Sequence, residues 1–516
     1  MNPALFTPQI SPTATGRNDA GGRAYVMDDR HALAQLAMTG TFNSTYYATA
    51  EQQTERILTL AKSVPAEFLA KLAVYARREG FMKDTPAVLL AVLLTRDQSL
   101  FRKAFPLVID GPKMLRNFVQ VIRSGVAGRK SLGTVAKREI QAYLSKKSPL
   151  DLFRGSVGQS PSLKDILALA HPRPDTRERN HFYRYIFGKE HILEALPEEV
   201  QAFEAFKKDP RGAPPEVPFL FLAGIEGMST EQWSEIAMRM SWQQLRQNLN
   251  ALSKHGVFKD ASVTRALAEK LSTPAKDAMP YQLFSAYLAT KGNNEVPSQI
   301  INALQDAADR SLDNVPRLEG EVVVTIDISG SMGTTLTGER KGATSTIRCI
   351  DAAAVLASAI QRRNPDARIM PFNTSVREGR LNSRDSLMTN AATLAGLLGG
   401  GTDCGAVFEA MVYLKRTADT IIMISDNESW FRNDAHYYRP RGTNTADKWA
   451  AFKRQCPNAK LACIDLQPNT SMQVQDSPDV LNVGGFSDRV FDIVSLFARN
   501  ELTSGHWVAK IEETTI

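Results

Sequence analysis

The sequence predicts a multidomain chain: an all-α array of HEAT-like helical repeats followed by an α/β doubly wound domain. Three observations carry this. From about residue 29 to 314, apolar positions recur at intervals of three and four, with breaks at Pro or Gly. Near Pro316 the pattern changes to short β-branched runs alternating with helical ones, as in a parallel sheet covered on both faces. The charge changes with it. Residues 1–320 hold 41 Lys and Arg against 33 Asp and Glu, whereas residues 321–516 hold 21 against 22, so the whole formal +7 arises in the first part.

A chain of 516 residues exceeds what one hydrophobic core supports, and 43% apolar with 23% charged residues is the balance of a folded protein. Residues 1–22, rich in Pro, Thr, Gly and Asn, are expected to be a disordered arm, and they lack the basic start and apolar stretch of a signal peptide. Residues 23–318 form the expected helical domain, with helices over 54–62, 66–78, 85–95, 113–123, 137–144, 163–170, 242–252, 262–271 and 281–290. Short linkers between many such helices suggest antiparallel pairs stacked as a solenoid. Residues 319–516 form the expected doubly wound domain. Its strands are placed at 322–326, 367–372, 420–425 and 460–466, with helices over 347–361, 404–415, 446–454 and 489–499.

The uninterrupted apolar run 87–94 is far short of the roughly 20 residues that cross a bilayer, so no membrane span is expected. The four cysteines, Cys349, Cys404, Cys456 and Cys463, form no CxxC pair, and no HExxH occurs. Few cysteines and no leader point to the cytoplasm. No Walker A sequence, GxGxxG fingerprint or kinase set appears, and Ser331 lacks the Gly-x-Ser-x-Gly frame of a nucleophile elbow. The expectation is a protein that is not an enzyme.

Residues 101–150 carry 11 basic side chains and only two acidic ones, Asp110 and Glu139. Such a block favours a polyanion, with RNA the partner expected. The candidate contacts from this stretch are Arg116, Arg123, Arg129, Lys130, Lys137, Arg138, Lys146 and Lys147.

In doubly wound sheets ligands bind at the carboxyl ends of the strands. The strand ending at Ile326 runs into Asp-x-Ser-x-Ser, with Asp327, Ser329 and Ser331, while Thr402 and Asp426 stand on two further loops. One or two carboxylates with neutral hydroxyls and water suit a hard divalent cation, Mg²⁺ or Mn²⁺ in its place. These five residues resemble the metal-ion-dependent adhesion site of von Willebrand factor A domains.

A basic helical part joined to such an A domain resembles the Ro family, in which a TROVE domain precedes the A domain. GTFNSTYY at 40–47 resembles the family's GGTYY segment, and SLKDILALAHPRP at 162–174 is similar to its SHKDLLRLSHLKP segment. GGTDC at 400–404 and SDNE at 425–428 resemble its GGTDC and TDNET segments. The resemblance implies a ring of helical repeats that binds small noncoding Y RNA and the single-stranded 3′ ends of misfolded RNAs. It implies a monomeric ribonucleoprotein of RNA quality control, maturation or decay and of stress responses. An exoribonuclease such as polynucleotide phosphorylase is an implied partner. By position it adds Lys164 and His171 as RNA contacts, and Arg154 in place of another basic contact; Gly158 stands where the family has a further basic residue. The rival reading is a Mg²⁺-dependent adhesion module that binds protein, with the helical part as scaffold.

Overall fold

The computed structural model describes residues 14–39, 42–157, 160–276, 278–338, 347–377, 381–382, 384–429, 445–486, 490–502 and 506–516. The chain begins with β1 (Gly16–Arg17), β2 (Arg23–Val26), α1 (Asp29–Thr39) and α2 (Ala50–Ser63). Helices then follow one another: α3 (Ala66–Arg78), α4 (Thr85–Arg96), α5 (Gln98–Val108), α6 (Pro112–Ser124), α7 (Gly133–Lys146), α8 (Pro149–Arg154), α9 (Leu163–Ala170) and α10 (Arg177–Ile186). The series continues with α11 (Glu198–Lys208), α12 (Phe219–Leu222), α13 (Thr230–Arg239), α14 (Trp242–Lys254), α15 (Ala261–Ser272), α16 (Pro280–Lys291) and α17 (Ser298–Ser311). The alternating part comprises β3 (Val322–Ile326), α18 (Cys349–Arg363), β4 (Arg368–Ile369), α19 (Leu387–Ala395), α20 (Ala406–Tyr413), β5 (Thr420–Ser425) and α21 (Thr445–Gln455). It ends with β6 (Lys460–Asp465), β7 (Ser471–Met472), β8 (Val480–Gly484), α22 (Val490–Ala498) and α23 (His506–Glu512). No described helix is long and apolar enough to cross a membrane.

The chain packs as two compact units, and they do not divide at 318/319. One holds Met1–Ser63, Lys270–Asn293 and Ile301–Glu513; the other holds Val64–Glu269, Asn294–Ile300 and Thr514–Ile516. The first unit therefore takes the start of the chain with the A-domain sheet. Of the expected disordered arm, residues 1–13 lie outside the described residues, but 14–22 are structured. There β1 pairs antiparallel with β2, the Asn18 side chain accepts from Gly22 N at 2.7 Å, and its amide donates to the Ser429 carbonyl at 2.9 Å. Long-range partners order a segment whose composition alone reads as loose.

The main sheet has the order β4-β3-β5-β6-β8, all parallel. Every residue of β3, β5, β6 and β8 is buried, as expected of strands covered on both faces. Alternation splits their side chains. Val323, Ile421, Met423, Leu461 and Cys463 meet Phe408, Met411, Trp449 and Phe452 of α20 and α21 in one core cluster. The fourth strand is shorter than the sequence suggests: only Arg368–Ile369 is ladder, with Phe372 bridging Asp327 further on. Against the far edge, α1 packs on β8 with α23. A Cβ on Gly484 of β8 would sit 2.2 Å from the Gln35 side chain, so glycine permits that approach. All four cysteines are buried and free.

In the second unit α3 neighbours α5, α5 neighbours α7, α7 neighbours α9, and α4 neighbours α6. Neighbours two apart in sequence are the signature of helical pairs stacked in two layers, the arrangement expected of HEAT-like repeats. Aromatic residues fill the layers: Phe101, Phe105 and Phe118 lie with ring centroids 5.4–5.8 Å apart. Helix starts are written locally. Ser148, Ser162, Ser229 and Ser241 each form a capping box with the Asp or Gln three residues on.

Candidate metal centre and nucleic-acid interface

Strand β3 ends by handing Asp327 to the crest of the sheet, where its amide donates to the Ile424 carbonyl at 2.9 Å. Its carboxylate is then shared: Oδ1 accepts from Ser329 N and Oδ2 from Ser425 Oγ, both at 2.8 Å. Ser329 Oγ and Ser331 Oγ stand 3.2 Å apart. The second loop is clamped to the first, since Gly330 N donates to Gly400 O at 2.9 Å and Gly399 N to Ile328 O at 2.7 Å. Gly400 holds φ 94°, and a Cβ there would meet the Asn373 amide at 2.8 Å. That clamp ties the loop that carries Thr402 to the Asp-x-Ser-x-Ser turn, while Asp403 pairs with Lys448 at 3.2 Å. From β5, Asp426 takes a hydrogen bond from Ser331 and one from Glu428 N at 3.3 Å.

The structure thus places Asp327, Ser329, Ser331, Thr402 and Asp426 on three adjoining loops at the carboxyl end of the sheet, each 5% exposed or less. Burial, and next the Asp426 charge, pushes the Asp327 carboxyl up to about 7. Burial likewise raises Asp426, against the Ser331 hydrogen bond. Two buried carboxylates side by side disfavour ionisation unless a cation answers them. Among the described residues neither forms an ion pair with Lys, Arg or His. The donor set therefore fits a hard divalent cation held by carboxylate, hydroxyl and water. Nor do three His, Cys, Asp or Glu side chains cluster anywhere in the described residues to offer a different kind of metal site.

Three contributors lie outside the five. Ser425 braces Asp327. Glu428 is buried with its carboxyl well above the usual range through burial, and accepts from Ala20 N at 2.9 Å. The Tyr47 hydroxyl hydrogen-bonds Ser331, and burial followed by the Asp426 charge raises it above the usual tyrosine range. Tyr47 belongs to the 40–47 segment, of which Gly40 and Thr41 lie outside the described residues. Asn43 of the same segment donates to the Thr337 carbonyl at 2.8 Å. Nothing local in the sequence ties these residues to a loop almost three hundred positions away.

The basic candidates belong to the helical unit. Arg116 and Arg123 lie on α6, Lys137, Arg138 and Lys146 on α7, and Lys147 caps α7. Arg129 and Lys130 fill the α6–α7 connection. None of the 11 Lys and Arg of residues 101–150 is ion-paired among the described residues, and Asp110, one of the two acidic residues of that stretch, pairs instead with Arg77 at 2.8 Å. Backbone carbonyls hold two of them: Arg116 donates to Val157 O at 2.9 Å and Arg129 to Ser131 O at 2.8 Å. At about 100° per residue Lys137 and Lys146 stand on opposite sides of α7, so they do not form one stripe. Lys147 instead lies over the Tyr143 ring, 5.7 Å from its centroid. The Tyr143 hydroxyl is buried, pushed up to about 12 by that burial, and is not an open stacking face.

The 162–174 segment resolves into two roles. Ser162 and Asp165 are the capping box of α9, with the Asp165 carboxyl held below its usual range by the Ser162 hydroxyl. Lys164 and His171 are exposed at its two ends, seven residues or about two turns apart. His171 adopts φ 52°, and Gln141 of α7 donates to the Ala170 carbonyl at 2.7 Å, docking α9 on α7. Arg123 and Lys164 both act on Asp165. Arg154 points elsewhere, pairing with Glu199 at 3.4 Å. Gly158 lies outside the described residues.

Residues 321–498 match the family model of the Ro60 vWA domain. The chain is 25% identical over 535 aligned positions to the RNA-binding protein RO60 of Deinococcus radiodurans, covering 94% of this chain and 96% of that one. The crystal structure of the Deinococcus radiodurans RO (RSR) protein shares the fold, with a TM-score of 0.61 at 20% identity over 92% of this chain and 100% of that one.

Proposed function

Because the chain belongs to the Ro family, we propose that it is an RNA-binding protein whose helical unit holds structured small RNAs and single-stranded 3′ ends. One observation carries the reading: none of the 11 basic side chains of residues 101–150 forms an ion pair among the described residues. Surface cations in a folded domain are commonly interleaved with carboxylates; a set left unanswered is answered by phosphate. Arg123, Lys130, Lys137, Arg138, Lys146, Lys147, Lys164 and His171 are the contacts proposed, with Arg116, Arg129 and Arg154 contributing through side chains already held by the fold.

The proposed role is that of a ribonucleoprotein scaffold in RNA quality control, maturation or decay, binding a Y RNA-like partner and handing RNA ends to an exoribonuclease. It includes no catalytic step by this chain. In the A domain, Asp327, Ser329, Ser331, Thr402 and Asp426 would hold Mg²⁺ or Mn²⁺, which supplies the positive charge the two carboxylates lack and so fixes the three loops together. A protein-adhesion role fits less well, since every one of the five ligands is buried and Tyr47 covers Ser331 from within the chain.

Filter binding to a hairpin RNA with a single-stranded tail tests the reading. The Lys137→Glu, Arg138→Glu double variant is expected to bind at least tenfold more weakly. Its log–log salt slope should flatten by about 0.7 for each phosphate that is no longer neutralised. Asp327→Ala should leave the affinity within about twofold. Equal affinity and slope for the double variant and the parent would refute RNA binding by this surface.

A further inference from the structure

Helix α3 ends on an aromatic ring where the backbone disfavours one. Glu79 N and Gly80 N donate to the Tyr75 carbonyl at 2.8 and 3.3 Å, and Met82 N reaches back to Ala76 O at 2.9 Å. This closure leaves Phe81 at φ 54°. Such a left-handed position ordinarily goes to glycine, because a Cβ is strained there. Here the glycine stands one residue earlier, and the phenyl group takes the strained position. Nor does burial compensate, as Phe81 is 57% exposed. Strain and an exposed apolar ring at the same residue are not explained by folding.

The surroundings are cationic. Arg77 steadies the turn through the Met82 carbonyl at 3.3 Å and spends its charge on Asp110. Lys83 and Lys113 have no ion-pair partner among the described residues. Desolvation, and then the Lys113 and Arg77 charges, lower the Lys83 ammonium, with Asp84 opposing. Asn117 of α6 fixes this turn to the helix, donating to Lys83 O at 2.9 Å and Asp84 Oδ1 at 2.8 Å. Two lysines that act on each other's charge and have no ion-pair partner among the described residues, beside an exposed aromatic ring, match a nucleotide: phosphate for the ammonium groups, base for the ring. An acidic peptide would answer the charges and leave the ring in water. A duplex would hide its base faces.

We propose that Phe81, Lys83 and Lys113 form a subsite for one nucleotide of single-stranded RNA, with its base stacked on Phe81 and its phosphate between the two lysines. The proposal rests on the RNA-binding reading above and deepens it. Anisotropy with a labelled oligouridylate of about a dozen nucleotides, and with a blunt RNA duplex of similar length, reads it. Phe81→Gly relieves the backbone, so its thermal midpoint should be no lower than the parent's, while single-strand affinity falls roughly 5- to 150-fold. Phe81→Trp should retain that affinity, duplex binding should be unchanged in both variants, and Lys83→Glu should flatten the single-strand salt slope by about 0.7. If Phe81→Gly binds the single strand as the parent does while the Lys137→Glu, Arg138→Glu variant is weakened, the subsite is refuted and RNA binding stands. If both bind as the parent does, both readings fail. A lowered midpoint for Phe81→Gly would make the ring a packing residue and overturn the subsite.

Discussion

Cation affinity at the A-domain loops should follow pH in a way set by Asp327. Its carboxyl is pushed up from 3.8 to about 7 by burial and by the Asp426 charge. The shift is about three units, and at ~1.36 kcal/mol per unit it amounts to on the order of 4 kcal/mol against ionising the metal-free site. The sign follows from linkage. A carboxyl whose folded pKa lies above its unfolded value stabilises below the unfolded pKa, and that stability is lost as pH rises from about 4 through about 7. A bound cation reverses this by making the ionised form the favoured one. Below pH 7, Mn²⁺ or Mg²⁺ must displace a proton, so its dissociation constant should rise about tenfold per pH unit on acidification, and more steeply where Asp426 also takes up a proton. Above about pH 8 it should level off. At a cation concentration a hundredfold above Kd the fold gains about 2.7 kcal/mol. Asp327→Asn should make the metal-free protein more stable than the parent near pH 8 and abolish the response to metal. Titration calorimetry at several pH values, paired with thermal unfolding with and without metal, reads both effects. Metal affinity that is flat between about pH 5.5 and 7, or a full metal response in Asp327→Asn, would refute the reasoning.

Two further substitutions probe the packing around the sheet. His31 Nδ1 lies 3.0 Å from Asp476 Oδ2. Although burial lowers the imidazole, the Asp476 hydrogen bond and the Asp476, Asp28 and Asp465 charges together raise it. The pair therefore stabilises below about pH 6.5 and loses that contribution as pH rises through the folded pKa. His31→Gln should cost about 1–3 kcal/mol near pH 6 and clearly less near pH 9 by urea unfolding; a cost that grows with pH would contradict the assignment. Gly484→Ala should cost roughly 1–3 kcal/mol, since the new Cβ displaces Gln35 from its 3.0 Å bond to Asp465; a denaturation midpoint equal to the parent's would show that α1 yields freely.

The architecture was legible where one kind of residue dominates a segment. Strand β3 is β-branched throughout and buried at every position, so both its identity and the turn that follows stand out. Strand β8 did not, because Asn482 interrupts it; the buried side-chain nitrogen donates to Val474 O at 3.0 Å and Asp476 Oδ1 at 2.8 Å, partners that exist only in the fold. Helix α5 was hidden by Pro106 within its last turn. The ordered stretch 14–22 was missed for the same reason as Tyr47 and Ser425. Each acquires its role from a partner far along the chain, and Ser425 reaches Asp327 only because Ile326 pairs in register with Ile424.

Charge counting found the basic surface but could not rank its members, and partnership now does. Arg116 and Arg129 donate to backbone carbonyls and Arg154 pairs with Glu199, so a phosphate must compete with a bond already made. Arg123, Lys137, Arg138 and Lys146 have no such competitor among the described residues, and Lys164 and His171 share that freedom at the two ends of α9. Binding energy gained at a free cation is not offset by a broken internal bond, whereas at Arg154 part of it is. The salt dependence of RNA binding should therefore rest mainly on the unpaired set, and the three held arginines should matter more for where the RNA sits than for how tightly it is held.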